Sequence, residues 1–274
     1  MKEVKFYSLM SDTTIKYLFK NNKTRKVLET IIKSLTGIDL DGYELIDNEL
    51  NTGSMIKDYR LDLLLRKGNN LVSIEMNRKV EDYIINKNHR YLYRLAGNIY
   101  NEGDDYKEKR YVTQINFNNA KFPIKGSSGI LTYEFMNDEY GLRVEGIKSI
   151  EIYLENFKGV CYNGINLKET YLSLFTAENY EEMKKIVKDN KEVLILVEEI
   201  EKLNNDKYFG ALYNVEEEQR KLENSARLTG YEQGMEIGSL SAKQGIAKSM
   251  KEDNVDIEKI SIYTGLTKEE IEKL

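Results

Sequence analysis

The chain has 274 residues, 41% hydrophobic and 32% charged, with a net charge of −5, one proline and no tryptophan. That composition can bury one sizeable core with residues left for an appended helical segment, and it excludes a disordered or fibrous chain. Net negative charge excludes a surface coated in cations for nucleic acid but not a local one, since residues 1–34 carry eight Lys and Arg against three Asp and Glu.

The opening MKEVKFYSLMSDTT lacks the continuous apolar stretch of a secretory signal. No apolar run approaches the roughly twenty residues of a membrane-spanning helix. A cytoplasmic protein with no membrane association is expected. The lone Cys161 has no partner for an internal disulfide, which agrees with a reducing compartment.

Asp12 is expected as a helix N-cap, with Ile15, Leu18 and Phe19 at helical spacing and a second apolar face from Leu28 to Leu35 before Gly37. The two helices break near Asn21–Asn22. The period then changes to that of strands over Tyr43–Leu50, Tyr59–Arg66 and Leu71–Asn77, with KGNN at 67–70 as a hairpin turn. After Val80 the helical period returns, with Ile84, Ile85, Leu92, Leu95 and Ile99 on one stripe. Tyr111–Phe117, Ile130–Phe135 and Ile147–Leu154 read as further strands. This order predicts a mixed α/β domain over residues 1–167.

From 168 to 274 the strand signal disappears. Glu178–Leu203 and Asn214–Met250 are charge-rich helical patterns, and a terminal helical hairpin follows, its last helix opened by a capping box of Thr267 and Glu270. Gly230, Gly234, Gly238 and Gly245 line one helix face, a pattern that suits close helix packing and a homo-oligomer formed through these C-terminal helices.

In DYRLDLLLR, Tyr59, Leu61, Leu63 and Leu65 share one strand face while Asp58, Arg60, Asp62 and Leu64 share the other. In LVSIEMNRK the apolar Val72, Ile74 and Met76 oppose Ser73, Glu75 and Asn77. A hairpin brings Asp62 and Glu75 together, and two carboxylates that converge can hold a hard divalent cation. Asn77 projects from the Glu75 face, and alternation points Lys79 to the same side. His89, the single histidine, is expected to be an ordinary residue of a polar helix face.

SDTTIKYLFK, RLDLLL, SIEMNRK and the tail GLTKEEIEKL, in that order, resemble the landmarks of the PD-(D/E)XK nuclease family transposases, also called recombination-promoting nucleases. The resemblance implies a restriction-endonuclease-like mixed sheet flanked by helices, with a C-terminal helical extension. It implies a Mg2+- or Mn2+-dependent DNA endonuclease linked to recombination, with Asp62 and Glu75 as metal ligands and Asn77 where the family has Gln and the wider superfamily Lys. Lys79 is then a compensating cation, and Arg78, Arg90 and Lys16 are expected to contact nucleic acid. The shorter, uncharged Asn77 leaves a second expectation, a DNA-binding or regulatory protein with the same fold and weakened catalysis.

Overall fold

The computed structural model describes residues 5–46, 61–78, 84–97, 99–100, 103–105, 107–122 and 129–274, with the side chains of 204, 216–229, 232 and 236 set aside. The chain is α/β and divides into two compact units, Met1–Tyr213 and Asn214–Leu274.

The first unit opens with helices α1 (Asp12–Lys20) and α2 (Asn22–Thr36). The N-cap of α1 is Ser11, whose side chain accepts from Thr14 N, so Asp12 is the first helical residue and not the cap. Asn21 separates the helices and caps α2 by accepting from Lys23 N, and Gly37 ends α2 in the left-handed conformation at φ 75°.

Strands β1 (Glu44–Leu45), β2 (Leu63–Lys67) and β3 (Asn70–Asn77) follow, then helix α3 (Ile84–Gly97) and strands β4 (Val112–Asn118), β5 (Ile130–Met136) and β6 (Arg143–Tyr153). Parts of the expected strands at 47–50 and 59–60 lie outside the described residues. The six strands form one mixed sheet in the order β1-β2-β3-β4-β6-β5. β1, β2 and β3 pair antiparallel, β3–β4 and β4–β6 are parallel, and β5 returns antiparallel along β6. Lys67 pairs with Asn70, so KGNN makes a two-residue turn with Gly68 at φ 57°, a conformation suited to glycine.

One face of the sheet is apolar: Leu63, Leu65, Val72, Ile74, Met76, Ile115, Phe117, Ile150 and Ile152 are buried in the core with α1 and α2. Helices α4 (Leu167–Leu174), α5 (Tyr180–Val187) and α6 (Lys191–Lys202) supply Tyr171, Leu172, Met183, Ile186, Leu196 and Ile200 to that same core. The first unit therefore continues past the last strand. It ends with the start of α7 (Lys207–Glu252), where Phe209 packs edge-to-face on Tyr7 and Tyr17 at ring distances of 4.9 Å.

The opposite face carries Ser73, Glu75, Asn77, Gln114, Asn116, Asn118, Ser149 and Glu151, every one buried, and α3 packs over β4 and β6 there. Gly129 enters β5 at φ 72°, and a Cβ there would lie 2.5 Å from Phe157 Cε2. Gly129→Ala is expected to cost about 1–3 kcal/mol, read as a lower melting temperature, because it meets both a left-handed backbone and an aromatic ring.

In the second unit α8 (Ile257–Thr264) and α9 (Lys268–Glu272) form the expected hairpin, turned at Gly265, with the Thr267–Glu270 capping box in place. Ala247, Ile260, Leu266 and Ile271 make a small core. Gly230, Gly234, Gly238 and Gly245 lie within α7, and a Cβ at any of them would meet nothing within 4 Å among the described residues. No packing within the described chain calls for small residues there. Among the described residues no helix is long and apolar enough to cross a membrane.

Candidate functional site

Period-two alternation places Asp62 and Glu75 on the polar face of the sheet, and the hairpin register sets them side by side. Leu63 pairs with Ile74, so Asp62, one step before Leu63, falls opposite Glu75, one step after Ile74. Each reaches the other's strand. Met76 N donates to Asp62 Oδ2 at 2.6 Å, and Asp62 N donates to Glu75 Oε1 at 3.4 Å.

These acids are crowded and poorly solvated. Burial raises the Asp62 pKa to about 7, with the nearby negative charge of Asp12 adding to the rise; the Met76 hydrogen bond and the charges of Lys16 and Lys87 oppose it. Glu75 is 3% exposed, and burial, followed by repulsion from Asp62, holds its pKa well above the ordinary carboxylate range. Two neighbouring carboxyls that resist ionisation together form a site that gains from a cation.

Asn77, 4% exposed, does not extend toward solvent. Its Nδ2 donates to Asn118 Oδ1 at 3.0 Å and Asn88 Oδ1 at 3.3 Å, while its Oδ1 accepts from Lys87 Nζ at 3.1 Å. Lys87, on α3, also stands over the Tyr91 ring, 5.3 Å from its centroid. Burial raises the Tyr91 pKa, and the charges of Glu75 and Asp62 add to the rise. The short amide at 77 is thus matched to a lysine delivered from the helix above it.

Of the other residues singled out in the sequence, Lys16 is partly buried and acts electrostatically on Asp62. Arg78 Nε donates to Met10 O at 2.7 Å, which ties the segment before α1 to the end of β3. Arg90 lies on the exposed face of α3, where Asn86, His89, Tyr93 and Arg94 join it around a shallow cavity of about 430 Å³. Lys79 lies outside the described residues. His89 is partly buried rather than fully exposed, its ring 5.4 Å from that of Tyr133 on β5.

Sequence reasoning missed Lys87, Tyr91 and Asp12. The i, i+4 spacing of Lys87 and Tyr91 put them on one flank of a predicted helix, but nothing local identified which flank faced the acids. Asp12 had been taken up by its expected capping role.

Among the described residues no group of three or more His, Cys, Asp and Glu side chains is arranged to hold a metal. Mg2+ is commonly held by one or two carboxylates, with waters and substrate phosphate completing its shell, and the oxygen pair of Asp62 and Glu75 fits that pattern. No protein-family model, no curated protein and no solved structure matches the chain.

Proposed function

We propose that this protein is a divalent-metal-dependent DNA endonuclease with a restriction-endonuclease-like core, its centre built on Asp62 and Glu75. The observation that carries this reading is the pairing of two desolvated carboxyls across a hairpin, with the Lys87 ammonium, whose charge acts on both, held by Asn77 two residues along β3 from Glu75. The element order, helices, three antiparallel strands, a helix and a parallel strand, supports the core that the motif resemblance implies. DNA as substrate, and a link to recombination, rest on that resemblance.

Asp62 and Glu75 would hold Mg2+ or Mn2+, which supplies Lewis-acid polarisation of the phosphate and an acidified water. The remaining work falls to the chain itself. Lys87 brings a fixed positive charge to the place where a scissile phosphate gains negative charge in the transition state. Asn77 holds Lys87 through its carbonyl oxygen, so the amide at this position orients a cation rather than replacing one. Lys16 adds a second positive charge on the α1 side, suited to a phosphate further along the strand.

The test is to incubate the purified protein with supercoiled plasmid in Mg2+, in Mn2+ and in EDTA. Nicked or linear product that requires the ion is expected. Lys87→Met should lower kcat about a hundredfold with DNA affinity changed only a few-fold, because the charge acts on the transition state rather than on the duplex. Wild-type protein that binds DNA without cleaving it under any of these conditions would refute the catalytic reading in favour of a DNA-binding one.

A further inference from the structure

Glu151 lies on β6, two strands from Glu75, and is completely buried. Its four acceptor positions are all taken: Oε1 accepts from Asn116 Nδ2 at 2.7 Å and Ser149 Oγ at 2.9 Å, and Oε2 accepts from Asn118 Nδ2 at 2.8 Å and Asn88 Nδ2 at 2.9 Å. A buried carboxylate costs more desolvation than an amide of the same shape. What it supplies in return is acceptors alone, with no donor.

That property propagates. Asn118 and Asn88 both commit their Nδ2 to Oε2, so both turn Oδ1 away from Glu151, and both oxygens meet Asn77 Nδ2. Asn77, facing two acceptors, must present its amide nitrogen to them and its carbonyl oxygen to Lys87. Inverting any one of these amides would set N–H against N–H inside a buried layer.

We infer that Glu151 is a positioning residue for the Asp62–Glu75 centre: its acceptor-only carboxylate fixes the polarity of Asn88, Asn118 and Asn77 and so fixes the amide oxygen that holds the Lys87 ammonium two residues from Glu75. The inference rests on the nuclease reading for its consequence in catalysis, but the relay itself is a property of the folded chain. Its two arms, through Asn118 and through Asn88, converge on Asn77, whose Oδ1 accepts from Lys87 Nζ.

Glu151→Met, which keeps the length of the side chain and removes every acceptor, tests the relay. The Lys87 15Nζ resonance of the metal-free protein at low temperature reports whether the ammonium is held in a lasting hydrogen bond. In wild type a resolved signal is expected; in Glu151→Met it should broaden beyond detection, while kcat for plasmid cleavage falls about tenfold and KM stays within about twofold. Ser149→Ala removes a donor from Oε1 without touching the relay and should leave the signal and kcat as in wild type. If Met at 151 prevents folding, Asn118→Leu severs one arm, leaves the carboxylate with three donors, and should give an intermediate loss of the signal. A Lys87 signal unchanged in the folded Glu151→Met and Asn118→Leu variants, or lost equally in Ser149→Ala, overturns the inference. Wild type that cleaves nothing would overturn the nuclease reading while the resonance still decides the relay.

Discussion

Asp62→Asn and Glu75→Gln are each expected to lower metal-dependent DNA cleavage by about a thousandfold or more while leaving the protein folded. The loss follows from the chemistry, because an amide neither binds a hard cation comparably nor supplies the negative charge that draws one into a partly dry pocket. Retention of the fold follows from the electrostatics. Both carboxyls are held above the ordinary carboxylate range by burial first, then by Asp12 for Asp62 and by Asp62 for Glu75, so a neutral replacement removes repulsion rather than a stabilising pair. Glu75→Gln keeps an oxygen for the Asp62 N–H, and Asp62→Asn keeps one for the Met76 N–H. Circular dichroism together with plasmid cleavage separates the two effects, and a variant that unfolds or one that cleaves at the wild-type rate would each contradict this account.

The same acids predict how stability depends on pH and metal. A carboxyl whose pKa is raised by folding binds more protons in the native chain than in the unfolded one between the two pKa values. Its contribution is therefore fully favourable below the unfolded value near 4 and is lost as pH rises through the folded value. For Asp62 that loss sets in above about pH 4 and is complete near pH 7, and for Glu75 it continues well above the ordinary carboxylate range. In EDTA the first unit should lose on the order of 2 to 3 kcal/mol between pH 5 and pH 8 from Asp62 alone, with Glu75 adding a loss in the same direction. Mg2+ reverses the loss at the alkaline end, since an ion that binds only the folded state at about a hundred times its dissociation constant returns about 2.7 kcal/mol. Thermal melts at pH 5 and pH 8, with and without Mg2+, check this. Glu75→Gln should reduce the pH dependence to the part due to Asp62 and weaken the response to metal, and a flat wild-type profile would show that the two carboxyls are not desolvated.

The heart of the candidate site was legible because it depends on local rules. Alternation in RLDLLL and SIEMN fixes which side chains share a face, and the two-residue KGNN turn fixes the register that puts Asp62 opposite Glu75. Neither step needs knowledge of the rest of the fold. The amide layer was illegible for the opposite reason. Gln114, Asn116 and Asn118 alternate with apolar residues as they would on a solvent-facing strand, and only the parallel β3–β4 and β4–β6 pairings, with α3 laid over them, turn that polar stripe into an interior.

Lys87 was passed over because helical periodicity gives the buried stripe of α3 but not which of its flanks adjoins β3. Arg90, three residues on, occupies the exposed face instead. In the helical half of the chain, the stretch Glu178–Leu203 resolves into α5 and α6, broken where Lys188 adopts φ 48° and Asn190 caps the next helix. Asn190 is a cap signal visible in the sequence, but the charge-rich pattern on either side of it masked the stop.

The most direct test of the Asp62–Glu75 centre is a Mn2+ titration that follows thermal stabilisation and plasmid cleavage on one preparation. Both should rise with the same half-maximal concentration in wild type, and both should vanish in Asp62→Asn. Cleavage that persists in Asp62→Asn, or in wild type with EDTA, would contradict a metal-dependent centre at these two residues.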